Sequence, residues 1–188
     1  MDVSTVNMAR TYHHGDLRAA LVTAGLEALD EGSELSLRAL ARMVGVSPTA
    51  VYRHFPDKDA LLAALAGEGL AMLADAQRAA SERAGGGPAG FAATGGAYVR
   101  FALAHPALFR LIFAHPQKGD LFDKQDDAMA MLRANAAALA PAGVDARVFA
   151  LKALALAHGL AMLMLDGQVP RDEALIDATI DVGMPLGC

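Results

Sequence analysis

Two short amphipathic segments that meet at a single glycine constrain the fold of this chain more than any other feature. Ser36, a favourable N-cap, opens the first segment, in which apolar residues recur on one helical face until Gly45. Glycine can adopt the positive φ angle that a sharp turn between helices needs. Ser47 then caps the second segment, where Val51 and Phe55 form an apolar pair four residues apart. The pattern predicts two short helices joined by a tight turn.

Longer helices are predicted on both sides of this pair. A first helix is expected over residues 16–31, where leucines recur mostly at three- and four-residue spacings and Gly32 follows. Pro56 ends the second short helix, and Asp57 is placed to cap a fourth helix that extends to about Arg83. The apolar face of the first helix needs a partner, and the short pair supplies one.

The rest of the chain also shows helical periodicity, without a convincing stretch of alternating apolar and polar residues between hairpin turns. The glycine-rich stretch 85–90 is expected to be a loop. The fold class is therefore all-α, with about nine helices in a three-helix head that carries a helix-turn-helix and a helical bundle body. We place the head at residues 11–65 and the body at residues 66–188. The predicted body helices after the loop cover residues 91–104, 106–114, 120–140, 144–165 and 171–182.

Composition limits the class of protein further. The chain is 54% hydrophobic, but alanine supplies much of this, and we expect no apolar run near the roughly 20 residues that cross a bilayer. The single cysteine, Cys188, excludes an intrachain disulfide. The first fifteen residues contain no apolar stretch of signal-peptide length, so a cytoplasmic location is expected.

The segment from Arg38 to Lys58 is basic, although the whole chain has a net charge of −5. It carries four Lys or Arg side chains against one carboxylate, Asp57. If the apolar pair of the second short helix faces inward, Thr49 and Arg53 share an outer face, and arginine can form two hydrogen bonds with a guanine edge. The pattern is typical of a local DNA contact. The candidate phosphate contacts are Ser47, Tyr52, His54 and Lys58, and the full DNA-binding set adds Arg38, Thr49, Ala50 and Arg53.

The same segment resembles the DNA-binding signature of the TetR family of transcriptional regulators. The match includes Ala-x-x-x-Gly-Val-Ser at 41–47, Tyr-x-His-Phe at 52–55 and the following Lys58, and with the first helix it covers roughly residues 11–65. The opening Tyr-His-His-Gly-Asp-Leu-Arg at 12–18 resembles one branch of the family, as do residues 105–113 and the later His158-Gly159. The resemblance implies a ligand-responsive repressor that binds a palindromic operator in double-stranded DNA as a homodimer, with no cofactor and no membrane partner.

Aromatic and methionine side chains recur at helical spacing in the body, and most of them are expected in the core. Because methionine and phenylalanine also line adaptable apolar pockets, we expect a cavity beside the fourth helix for an apolar or amphipathic small molecule. The fourth helix, which runs from the DNA surface into the body, is the predicted lever between the two sites. The candidate ligand-binding residues are Phe101, His105, Phe109, Phe113, Met129 and Met162.

The last two predicted helices are the candidate dimer interface. Residues 144–165 are apolar nearly all round, as expected when one side of a helix meets its own subunit and the other side meets a partner. Gly159 would let two helices approach closely. The candidate dimerisation residues are Leu156, His158, Gly159, Met162 and Leu163.

Other interpretations stay open at this point. The short helix pair could be an ordinary helix corner, and the chain could be a helical small-molecule-binding or structural module without DNA binding. An enzyme is not expected, because nucleophile-elbow, P-loop and dinucleotide glycine patterns are missing in any workable context. The histidines lack metal-ligand spacing, so no metal site is expected. The acidic run 120–127 is expected to be a solvated face on alternate turns of one helix, and Arg10 is expected to reach an adjacent minor groove.

Overall fold

A computed structural model describes residues 16–114, 121–123 and 125–181. Within these ranges the fold is all-α, as predicted, with nine α-helices and no strand. The predicted roles of Arg10 and Asp120 concern residues outside these ranges. The helices are α1 Leu17–Asp30, α2 Leu37–Val44, α3 Pro48–Tyr52, α4 Lys58–Arg83, α5 Gly87–Ala104, α6 Pro106–Ala114, α7 Asp127–Leu139, α8 Ala146–Leu165 and α9 Glu173–Ile180.

Side-chain caps fix the start of each helix in the head. In each case an Asp or Ser side chain accepts a hydrogen bond from the backbone N–H three residues later, and such a cap contributes about 1 kcal/mol to helix stability. The predicted caps Ser36, Ser47 and Asp57 are confirmed, and Asp16 caps α1. The distances from the cap oxygen to the backbone nitrogen are 2.9 Å for Asp16, 3.2 Å for Ser36, 3.3 Å for Ser47 and 2.8 Å for Asp57.

The glycine-rich loop is shorter than predicted. Helix α5 begins at Gly87, four residues before the expected start at Phe91. Pro88 lies in the first turn of this helix, where no intrahelical partner exists for the N–H that proline lacks. The prediction that this stretch is a loop throughout is therefore wrong from Gly87 onward.

Capping aspartates also delay the last three helices relative to the prediction. Helix α7 begins at Asp127 instead of near residue 120, because the Asp126 carboxylate accepts the Met129 N–H at 2.9 Å. A separate 3-10 turn covers Leu121–Asp123. Among the described carboxylates, Asp123 lies in this turn and Asp126 and Asp127 lie at the start of α7, so the placement on alternate turns of one helix is wrong; Asp123 and Asp127 are exposed, as a solvated face requires. Asp145 and Asp172 similarly cap α8 and α9.

One buried core continues from the head into the body along α4. Leu21 and Phe55 in the head and Phe109 in the body belong to the same cluster of buried apolar side chains. Helix α4 packs against α1, α5, α6 and α7. A Cβ on Gly69 would lie 2.9 Å from side-chain carbons of α6, so this glycine lets α6 lie directly on α4. A boundary between residues 65 and 66 stays a prediction, and it crosses a continuous core.

Helix α8 is more apolar than the composition suggested. Over 20 residues it is long and hydrophobic enough to cross a membrane by length and composition alone, with a mean hydropathy of 2.0. The expectation that no apolar run approaches this length is therefore wrong. Helices α5 and α6 meet the same criterion only as a pair bent by 106°. In the structure α8 packs against α5 and α7 along one side.

Candidate nucleic-acid interface and internal cavity

The turn between α2 and α3 has the predicted left-handed glycine. Gly45 has φ 76°, and the next N–H, that of Val46, donates to the Ala41 carbonyl at 2.9 Å. Ala41 is buried, and its small side chain leaves room for close helix packing. After this turn α3 packs against α2, with one side of α3 against the core.

Helix α3 divides into a buried and an exposed side. Val51 and Phe55 are fully buried, and the Phe55 N–H donates to the Val51 carbonyl at 2.9 Å, which extends the helical backbone past Tyr52. The guanidinium of Arg18 on α1 lies 5.4 Å from the centre of the Phe55 ring. The inward pair thus anchors α3, and the side chains of Thr49, Tyr52, Arg53 and His54 are exposed.

Four cations are exposed on α2, at the end of α3 and at the start of α4. Arg38, Arg42, Arg53 and Lys58 are all exposed, and among the residues that the structure describes none of them forms an ion pair. The neighbouring Asp57 carboxylate accepts the Ala60 N–H at 2.8 Å as a helix cap. We call the exposed face formed by Thr49, Tyr52, Arg53 and His54 with Arg38, Arg42 and Lys58 the α3 surface.

The structure brings together nearly all of the predicted DNA-binding set. Seven of its members are exposed, and Ala50 is half-buried. The Ser47 hydroxyl oxygen accepts the Ala50 N–H, and its own proton stays available for a phosphate oxygen. Arg42 was missing from the predicted set, although its charge in the basic segment was the signal that identifies it. The arrangement offers exposed donors and positive charge to a phosphate backbone.

A cavity of about 480 Å³ lies in the body, which is within the usual range for small-molecule sites. Helices α4, α5, α7 and α8 supply most of its walls, and Ile112 and Phe113 of α6 close one part of it. The remaining lining is mainly leucine, phenylalanine, methionine and alanine. Of the predicted ligand-binding residues, Phe113 and Met129 line the cavity, and Phe101, His105, Phe109 and Met162 are not among its lining residues.

Phe109 belongs to the core beside the cavity. Its side chain is fully buried, and its ring centre lies 5.4 Å from that of Tyr98 and 5.0 Å from that of Phe113. The placement of Phe109 in the cavity wall is thus corrected: Phe109 is fully buried in the middle of α6, whereas Phe113, one turn later and near the end of the helix, lines the cavity.

His105 and its neighbour Phe101 lie at the corner between α5 and α6 instead. The ring centres of the two residues are 5.1 Å apart. The His105 Nδ1 atom lies 3.3 Å from a carboxylate oxygen of Asp30, at the end of α1. This contact joins the corner of the body to the head.

Two polar side chains of the cavity wall, Gln77 and Thr94, escaped the sequence analysis. The Gln77 Nε2 atom donates to the Thr94 backbone carbonyl at 3.3 Å, and the Thr94 hydroxyl donates to the Phe91 carbonyl at 2.7 Å. A signal for Gln77 was available: it continues, at four-residue spacing, the buried series Leu61, Leu65, Gly69 and Leu73 along α4. A polar residue at the next position of a buried stripe indicates a site and not ordinary core.

Tyr98, another residue of the cavity wall, forms a hydrogen bond with His158. The Tyr98 hydroxyl lies 2.9 Å from the His158 Nδ1 atom. Burial raises the pKa of Tyr98 well above its ordinary value, and burial lowers the pKa of His158. Both groups are therefore neutral at pH 7, and the tautomer of His158 decides which of the two donates the shared proton.

The predicted dimerisation residues lie on two sides of α8. Leu156 lines the cavity, His158 contacts Tyr98, and Met162 packs partly against the core. Leu163 is exposed, together with Val148, Leu151 and Ala155. A Cβ on Gly159 would meet no atom within 4 Å. We call the outward series Val148, Leu151, Ala155, Gly159 and Leu163 the α8 stripe, and Leu175 of α9 is exposed in the same way.

Comparisons with known proteins agree with this architecture. Residues 24–65 match the family description "Bacterial regulatory proteins, tetR family", and residues 91–184 match "Tetracyclin repressor-like, C-terminal domain". An uncharacterised HTH-type transcriptional regulator of Haemophilus influenzae is 36% identical over 98 residues, which are 50% of this chain and 48% of that protein. The match thus spans about half the length of that relative.

Solved structures are similar over nearly the whole chain. A protein of unknown function from a Rhodococcus species has a TM-score of 0.76 and 35% identity, over 92% of this chain and 95% of that one. A TetR family transcription regulator from Marinobacter aquaeolei has a TM-score of 0.60 over 87% of this chain and 91% of its own, and its 20% identity supports the fold alone.

Proposed function

Since the chain belongs to the TetR family of transcriptional regulators, whose members are DNA-binding proteins and not enzymes, we propose that it is a ligand-responsive repressor. In this proposal two copies bind a palindromic operator through their α3 surfaces, and a small molecule in the cavity releases the DNA. The observation that carries the proposal is the α3 surface, where four cations are exposed on α2, at the end of α3 and at the start of α4, and where Val51 and Phe55 anchor α3.

DNA recognition in this proposal uses the two kinds of contact that the α3 surface offers. Thr49 and Arg53 share the outward side of α3 and are placed to reach base edges in the major groove. Tyr52, His54 and Lys58 are exposed around them and suit phosphate oxygens. Arg53 is thus the residue that we assign to sequence preference.

Dimerisation is assigned to the α8 stripe with the exposed part of α9. Exposed large apolar side chains cluster there, with Leu151 50% and Val148 47% exposed. Such a patch on one molecule marks an interaction surface, and a two-fold axis would apply the same patch to itself. The open space outside Gly159 lets the partner helix come close. A symmetric pair of heads would then match a palindromic operator.

The route from cavity to head runs through α6 and α4. Ile112 lines the cavity, and it also packs with Leu108 against Gly69 of α4. At the other end of α6, the contact of His105 with Asp30 reaches the end of α1. A ligand that displaces α6 would therefore move the head relative to the body, and it must bind the DNA-incompetent arrangement more tightly.

We place the head at residues 11–65, the sensing and dimerisation body at residues 66–188, and the protein in the cytoplasm, where a regulator meets chromosomal DNA. The division follows the site placement: the α3 surface precedes residue 65, and the cavity wall begins at Leu70. The body then supplies the dimer contacts for both heads.

A mobility-shift titration tests this function directly. The full chain should bind a DNA fragment from the promoter region next to its own gene with about nanomolar affinity. It should bind a scrambled fragment of the same length at least about a thousandfold more weakly. A helical module without DNA binding would retard neither fragment, and that result would reject the proposal. Equal binding to both fragments would reject recognition of a specific operator while leaving DNA binding itself in place.

A further inference from the structure

The polar groups of the cavity wall determine which effector chemistry it can hold, if the proposed sensing function is right. Apolar side chains form most of the wall. Among the described residues that line it, the only charged side chains are Asp126 and Asp181, and no Lys, Arg or His is present. An anionic ligand would thus meet two carboxylates and no cation, which disfavours it in a partly dry site.

Gln77 supplies an acceptor that lacks a donor. Its Oε1 atom is buried and has no hydrogen-bond partner. The amide cannot simply be reversed, because the Nε2 atom faces the Thr94 carbonyl oxygen at 3.3 Å and an oxygen there would be repelled. A buried acceptor without a partner is rare in a folded protein and points to a missing group that donates a hydrogen bond.

Three other polar side chains of the wall are hydrogen-bonded within the protein. The Thr94 hydroxyl donates to the Phe91 carbonyl, and the Tyr98 hydroxyl is bonded to His158. The Asp126 carboxylate accepts the Met129 N–H and has no proton to give. The cavity therefore presents an acceptor without a partner and two carboxylates around an apolar interior.

We propose that the effector is an apolar molecule with an amine or ammonium head, which donates a hydrogen bond to Gln77 and is favoured by the carboxylates of Asp126 and Asp181. The apolar part of the ligand lies against the leucine, phenylalanine and methionine side chains. A neutral alcohol satisfies the Gln77 acceptor without the charge and binds second best. A carboxylate of the same length carries the wrong charge and no donor at pH 7.

Three probes with one chain length separate these classes: decylamine, 1-decanol and decanoate, below their micelle concentrations. Calorimetric titration of the full dimer without DNA should give a dissociation constant for decylamine at least about tenfold below that for decanoate, with 1-decanol between them. Decanoate binding as tight as decylamine, or no binding by any of the three, would overturn the proposal.

Two variants assign the preference to residues. Gln77→Leu should weaken the binding of decylamine and 1-decanol about three- to tenfold and leave the binding of decanoate unchanged. Asp181→Asn should weaken the binding of decylamine and not that of the other two probes. This variant serves as the second test if Gln77→Leu lowers the thermal midpoint of the ligand-free protein. Gln168→Leu is the matched control, because Gln168 is exposed after α8 and does not line the cavity. If Gln77→Leu and Gln168→Leu bind decylamine equally, the Gln77 assignment is wrong.

The same probes distinguish this inference from the repressor function. Decylamine should also release the protein from its operator fragment in a fluorescence anisotropy titration. Binding of decylamine without release would leave the ligand class intact and reject ligand-responsive repression. Release by decanoate in place of decylamine would support the repressor and overturn the ligand class.

Discussion

The α3 surface and the cavity are assembled from very different lengths of chain. All members of the α3 surface lie between Arg38 and Lys58, whereas the cavity wall draws on residues from Leu70 to Asp181. The first depends on three side-chain caps and one glycine turn, and the second depends on the packing of six helices. Substitutions on the α3 surface should therefore change binding alone, and substitutions around the cavity should change stability as well.

The largest difference is expected between two phenylalanines of α6. Phe109→Ala removes a fully buried ring and should lower the free energy of unfolding by about 3 to 5 kcal/mol. Phe113 is 38% exposed at the cavity, so Phe113→Ala should lower it by only about 1 kcal/mol. Urea denaturation measures both. Equal losses would mean that the two rings are not divided between core and cavity.

The next effect concerns the α8 stripe. Gly159→Leu should weaken the dimer by about 2 to 3 kcal/mol, because a bulky side chain enters the interface at two symmetric positions. Gly67→Leu on α4 is the matched control, since a Cβ on either glycine meets no atom within 4 Å of its own protomer. Sedimentation equilibrium measures the dissociation constants. Equal dimer dissociation constants for the two variants would mean that the interface lies elsewhere on the molecule.

A smaller effect should separate the two kinds of DNA contact on the α3 surface. Arg53→Ala should lower operator affinity by about 1 to 3 kcal/mol and relax the sequence preference. Lys58→Ala should weaken binding to all DNA sequences similarly, and it should reduce the slope of log affinity against log salt concentration by about 1. Both side chains are exposed, so the thermal midpoint should be unchanged. Binding of a randomised operator library tests this. An unchanged preferred half-site in Arg53→Ala would reject base contact by this residue.

The smallest effect is a pH dependence at the Tyr98–His158 hydrogen bond. Because burial lowers the pKa of His158 in the folded protein, the unfolded chain takes up the proton first as the pH falls, and stability declines below the ordinary histidine pKa of about 6.5. The loss should stop once the pH is below the lowered folded-state pKa. Unfolding free energies between pH 8 and pH 5 should thus vary less in His158→Gln, whereas exposed His54→Gln should keep the full dependence.

Local signals were sufficient for the head. Ser36, Gly45, Ser47 and Asp57 act on backbone groups within three or four residues, and the structure confirms the caps and the turn. The body was harder even at the local level. Helix α5 begins at Gly87 without a side-chain cap, so no local capping signal marks its start, and α7 begins at Asp127 after only one of several aspartates in the segment, Asp126, acts as its cap.

The sequence by itself determined the all-α class, the helix-turn-helix and the identity of the exposed cations around α3, because capping, helical periodicity and charge are properties of neighbouring residues. Only the tertiary structure decided that Phe113 lines the cavity and Phe109 does not, and that Gln77 has an acceptor without a donor. Two aromatic residues four positions apart give the same periodic signal. Residues four positions apart share one helical face, so which ring is covered depends on how far along α6 the neighbouring helices reach, and contacts between segments distant in the chain set that extent.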